Sequence, residues 1–97
     1  MRIIKFSINE NSYETFLKEC KDKDITVKRK INVLISQDKA IDTDINDYFP
    51  ENLDKDLRTI TLKVNEELFK GVMKGSDRLG IKSKRYIPYL IYKYLDQ

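Results

Sequence analysis

Hydrophobic and polar residues alternate strictly at two places in the chain. Near the start Ile4, Phe6 and Ile8 fall on one side of an extended backbone and Ile3, Lys5 and Ser7 on the other. Farther on, Ile60, Leu62 and Val64 alternate with Thr59, Thr61 and Lys63. A period of two, rich in β-branched residues, predicts a strand with one buried face. After each strand the spacing becomes helical. Asn9 and Asn65 stand at the N-cap position, with Glu10 and Glu66 just behind them, where an acceptor and a negative charge satisfy free amides. Helices are predicted over about 10–23 and 66–79, with stripes Tyr13, Phe16, Leu17, Cys20 and Leu68, Phe69, Val72, Met73. Asp24 and Gly80 mark the breaks, glycine suiting the left-handed backbone that closes many helices. Thr26 and Ser83 are the predicted caps of a second helix in each half. Its stripes are Ile31, Leu34, Ile35 and Ile87, Leu90, Ile91, Tyr94.

The two halves match at a fixed offset of 56 positions. Identities include Arg2 with Arg58, Ile4 with Ile60, Asn9 with Asn65, Glu10 with Glu66, Lys28 with Lys84 and Arg29 with Arg85. Ile31 with Ile87, Leu34 with Leu90 and Ile35 with Ile91 extend the match into the last helix. The chain therefore reads as two strand–helix–helix copies, 1–37 and 57–97, joined by the linker 38–56. One strand cannot satisfy its own backbone. Two copies can do so together, if their strands pair as an antiparallel ribbon over four helices.

The linker changes the charge picture. Asp38, Asp42, Asp44, Asp47, Glu51, Asp54 and Asp56 against Lys39 and Lys55 give it −5, so a chain of net +3 carries +8 elsewhere. A basic body suggests a polyanionic partner. Tyr48, Phe49 and Leu53 are expected to pack back on the helices, with Pro50 preventing a continuing helix. Asp42-x-Asp44-x-Asn46 imitates the opening of a calcium loop, but Asp47 and Leu53 replace the glycine and glutamate such a loop needs. No metal is expected.

Composition narrows the chemistry further. The 97 residues include no histidine and only three glycines, Gly71, Gly75 and Gly80. The commonest general base, the usual triads, most zinc sites and a glycine-rich phosphate loop are thereby excluded, and no enzyme is expected. Cys20 is alone, which points to an intracellular, cytoplasmic protein. No apolar run approaches the ~20 residues of a membrane span, and no membrane association is expected.

At this point the chain resembles the ribbon-helix-helix family of Arc- and MetJ-type DNA-binding proteins. The resemblance rests on Ile3–Glu10, Ile25-Thr26-x-Lys28 and Ile31, matched by Thr59–Glu66, Gly80-Ile81-x-Ser83-Lys84 and Ile87. It implies an α+β, mainly α, fold in its tandem form: two βαα repeats making an intramolecular pseudo-dimer. It also implies a transcriptional regulator, most simply a repressor, that inserts the ribbon into the major groove of double-stranded DNA. Ile3, Lys5, Ser7, Thr59, Thr61 and Lys63 then read base edges. Thr26, Lys28, Arg29, Ser83, Lys84 and Arg85 hold phosphates at the second helices' starts, and Arg2 and Arg58 add backbone contacts. The cations have independent weight, because Lys and Arg at a helix N-terminus oppose its dipole and help no isolated helix.

The resemblance implies no cofactor and no small-molecule ligand, and self-association of several molecules on DNA. Two other roles fit the same residues: an accessory DNA-binding protein of plasmid transfer or copy control, and an antitoxin-like protein-binding module. Family antitoxins carry a further tail, whereas this chain stops at Gln97, just after its last predicted helix. Two features depart from the pattern. Pro88 predicts a kink in the last helix. Tyr86, Tyr89, Tyr92 and Tyr94 exceed one buried stripe, so some are expected on the surface as a contact between molecules.

Overall fold

The structure, a computed structural model, describes residues 2–38 and 55–96. Its elements follow as β1 (Arg2–Asn9), α1 (Glu10–Asp22), α2 (Val27–Gln37), β2 (Leu57–Val64), α3 (Glu66–Leu79) and α4 (Ser83–Leu95). The fold is α+β and mainly helical. β1 and β2 pair antiparallel in a two-stranded sheet. The register runs from Arg2 opposite Val64 to Asn9 opposite Leu57. Ile4, Phe6, Ile8, Ile60 and Val64 are buried on the inner face, and Leu62 is half-buried. Burying each large aliphatic or aromatic side chain is worth about 1.5–3 kcal/mol. A one-residue slip of either strand would expose that strand's apolar set and turn its Lys5 or Lys63 inward, so the burial pattern sets the register.

The helix boundaries obey the local rules. Asn9 Oδ1 accepts from the Ser12 N–H at 3.0 Å and Asn65 Oδ1 from the Leu68 N–H at 2.8 Å. After α1 and α3 the backbone turns left-handed at Asp24 (φ 54°) and Gly80 (φ 69°). Aspartate is one of the few non-glycine residues that tolerates this. Ile25 N–H then donates to Cys20 O and Ile81 N–H to Ser76 O, each at 3.0 Å. The two caps and the two closures recur at the offset seen in the sequence.

α4 is the centre of the molecule, packing against β1, α1, α2 and α3. This corrects the expectation of surface tyrosines. Tyr86, Tyr89 and Tyr92 are all buried, within an unbroken buried run from Tyr86 to Tyr92. A helix enclosed on every side has no stripe to exceed. Each phenol finds a polar partner, as buried tyrosines require. Tyr86 Oη donates to Asp38 Oδ2 at 2.9 Å, Tyr92 Oη accepts from the Asn9 N–H at 2.9 Å, and Lys93 Nζ lies 3.4 Å from Tyr89 Oη. Tyr94 is half-buried, with Lys23 Nζ donating to its hydroxyl at 2.7 Å.

Two smaller corrections concern α3 and α4. Ser83 does not cap α4: it is the first helical residue, and Lys82 takes the cap position with no side-chain bond. The cap lies 56 positions after Thr26, and register places it there whatever residue occupies it. Met73 is 38% exposed and leaves the α3 stripe. Pro88, where a kink is expected, lies inside α4 and is buried. Among the described residues no helix is long and apolar enough to cross a membrane. The expected packing of Tyr48, Phe49 and Leu53, the stop at Pro50 and the Asp42–Asp44–Asn46 loop lie outside the described residues.

Candidate nucleic-acid interface

Strand alternation puts Ile3, Lys5, Ser7, Thr59, Thr61 and Lys63 on the face opposite the core, and all of them are exposed. Across the ribbon they meet in pairs: Ile3 with Lys63, Lys5 with Thr61, Ser7 with Thr59. The Ser7 and Thr59 hydroxyls lie 3.4 Å apart. No acidic side chain interrupts this set. It offers donors from the lysines, donors or acceptors from the hydroxyls, and methyls from Ile3 and the threonines. Such groups complement the edges of base pairs in a major groove wide enough to admit a two-stranded ribbon.

The helix starts divide into two kinds. α1 opens with Glu10 and α3 with Glu66 and Glu67, as the helix dipole favours. α2 and α4 have no acidic residue in their first turns. They carry Lys28 with Arg29, and Lys84 with Arg85, all exposed. Thr26 caps α2, its Oγ1 accepting from the Arg29 N–H at 3.2 Å. At the start of α4 the Arg85 N–H donates to Lys82 O at 2.9 Å, and each of the two starts carries two cations where the helix dipole is positive.

The structure joins one helix start to the ribbon. A groove of about 340 Å³ lies between Lys5, Ser7 and Thr59 on the sheet and Lys84 and Arg85 on α4. The α2 start, with Thr26, Lys28 and Arg29, does not line this groove. Arg2 and Arg58 are placed differently from the other candidates. Arg2 Nε donates to Glu66 Oε1 at 2.7 Å, and its guanidinium lies 4.8 Å from the centre of the Phe69 ring. That hydrogen bond holds the Glu66 carboxyl below its ordinary range. Arg58 stands 5.9 Å from the centre of the Tyr13 ring. Arg2 thus spends its Nε on Glu66.

Phe6, Leu57, Pro88 and Tyr92 complete the groove lining, and none of them is a sequence-predicted contact. Leu57 opens β2, is 52% exposed and lines the groove beside Thr59. Its signal was present, because Leu57 continues the outward phase of Thr59, Thr61 and Lys63 by one step of two.

The chain matches no protein-family model, no curated protein and no solved structure at a significant level.

Proposed function

We propose that the chain is a sequence-specific double-stranded DNA-binding protein of the ribbon-helix-helix kind, acting as a transcriptional regulator. Its two βαα units form an intramolecular pseudo-dimer. The register supports this arrangement. Lys5 and Thr61 are 56 positions apart and face each other. A half-turn about an axis between them exchanges the Ile3–Lys63 pair with the Ser7–Thr59 pair. The same operation exchanges Arg2 over Phe69 with Arg58 over Tyr13. The observation that carries the function is the exposed outer face of the ribbon, free of acidic residues and bordered by the basic start of α4.

In this reading the ribbon lies in the major groove, with Ile3, Lys5, Ser7, Thr59, Thr61 and Lys63 against base edges. Thr26, Lys28, Arg29, Ser83, Lys84 and Arg85 meet the phosphates on either side. So few readers cover only a few base pairs, and each mismatch costs roughly 1–3 kcal/mol. Discrimination against a genome therefore requires adjacent molecules on one operator. Footprinting on the DNA upstream of the protein's own gene tests the reading. The expected result is a protected tract longer than one ribbon covers, saturating at several chains per duplex. Equal affinity for that DNA and for scrambled duplexes would refute sequence-specific binding.

A further inference from the structure

The two ends of the ribbon's outer face differ chemically. Ile3 stands opposite Lys63 at one end and Ser7 opposite Thr59 at the other, with Lys5 and Thr61 between them. A half-turn that leaves the ribbon backbone superimposed would put Thr59 where Ile3 was and Lys63 where Ser7 was. The backbone can enter a groove either way round, but the side chains cannot match one sequence in both orientations. One end carries a cation and an aliphatic side chain 56% exposed. The other carries two hydroxyls 3.4 Å apart, each able to donate or accept. That second end also borders the groove lined by Lys84 and Arg85.

We propose that each molecule reads a non-palindromic duplex core in a single orientation, with the Ile3–Lys63 end over a guanine and a neighbouring thymine. This rests on the DNA-binding reading above. A lysine ammonium has donors and no acceptor, so it suits guanine O6 and N7 and rejects the amino groups of cytosine and adenine. The thymine methyl is the apolar feature of the major groove, and it is what an exposed isoleucine can cover. The Ser7–Thr59 end tolerates more sequences, because hydroxyls accept or donate to suit the base. Lys5 and Thr61 exchange across the axis, only one strand spacing of about 4.8 Å apart, so they add affinity with little direction.

Selection of bound duplexes from a random-sequence library, using the full chain, tests this. Wild type is expected to enrich an asymmetric core with guanine preferred at one end. Lys63→Ala should lose that preference by about ten-fold while keeping the rest of the core. Ser7→Lys, which gives both ends a lysine, should gain guanine at the second end and draw the core toward a palindrome. Both positions are exposed on the ribbon, and a thermal melt of each variant confirms its fold. A wild-type core that is palindromic within the few base pairs under one ribbon, or a Lys63→Ala variant that keeps its guanine, overturns directional reading and leaves DNA reading intact. Failure of wild type to enrich any core overturns the DNA reading itself, and the directional inference with it.

Discussion

Asp38 follows α2 with a side chain only 1% exposed, and donors from α3 and α4 converge on it. Arg78 Nη2 lies 2.7 Å away, Tyr86 Oη 2.9 Å and Lys93 Nζ 3.7 Å. In the sequence Asp38 is the first of a run of acids, and a charge run reads as a solvated linker. Its burial depends on partners 40 and more positions away. Breaking a buried pair costs about 3–5 kcal/mol when the abandoned charge stays buried. Arg78 and Lys93 are 36% and 29% exposed and can turn to water. Asp38→Ala should therefore destabilise by about 3 kcal/mol or less, read from urea denaturation. Tyr86 reports on the same cluster: burial, then its hydrogen bond to Asp38, push its phenol well above the ordinary range. The neutral phenol is the form the fold holds, and an unfolded tyrosine ionises near pH 10. Its contribution is therefore complete below about pH 10 and is lost as pH rises beyond it. Melting temperatures between about pH 8 and 12 should fall less steeply for Tyr86→Phe than for wild type. A residual slope is expected from Tyr13, which burial also raises. Gly75 lies under the Tyr86 ring, where an added Cβ would overlap the phenol. Ala for Gly in an exposed helix gains up to ~1 kcal/mol. Here overpacking should reverse the sign, so Gly75→Ala is expected to lower stability by about 1–3 kcal/mol in the same urea experiment.

At the scale of elements, the ribbon and the helix starts should fail differently. Lys5→Ala, Thr61→Ala and Lys63→Ala remove groups from the outer face and should each cost ~1–3 kcal/mol on the preferred duplex, with little effect on scrambled DNA. Lys28→Ala, Arg29→Ala, Lys84→Ala and Arg85→Ala should weaken all duplexes alike and reduce the log–log salt slope by about one unit per lost contact. Titrating each variant against specific and scrambled duplexes over a range of salt separates the classes. Ribbon variants that bind the preferred duplex like wild type would remove the strands as readers. The strand faces behind this test are legible in the sequence, because a period of two fixes inside and outside without long-range information. The Asn9 and Asn65 caps and the turn at Gly80 are legible for the same local reason. The burial of α4 is not. Its tyrosines read as surplus while α4 is treated as one stripe on one neighbour, and only its position among β1, α1, α2 and α3 gives every side something to cover. The cap at Lys82 was hidden too, since no side-chain signal marks it and only the register with Thr26 locates it. The groove joining Lys84 and Arg85 to the ribbon depends on the approach of α4 to β1, which periodicity does not encode.

For the whole molecule, the core belongs to both halves of the chain. β1 pairs with β2, and α4 of the second half packs on β1, α1 and α2 of the first. The buried set mixes Ile4, Phe6, Ile8, Phe16 and Ile31 with Ile60, Val72, Ile87, Leu90 and Ile91. A chain cut within the acidic segment, leaving residues 1–50, keeps one strand with an unpaired edge and an inner face that α4 no longer covers. Unsatisfied strand backbone and exposed aliphatic surface together oppose folding, and a lone strand with two helices has no second layer to supply either. Residues 1–50 should accordingly be unfolded or self-associated by circular dichroism and sedimentation, while the whole chain melts in one cooperative transition as a monomer. Mixing residues 1–50 with residues 57–97 should restore helical signal, and the midpoint should rise with concentration because folding is then bimolecular. The intact chain should show no such dependence, since its halves are already tethered. A stable, cooperatively folding monomer of residues 1–50 would mean that each half closes its own core, and the intramolecular pseudo-dimer would have to be abandoned.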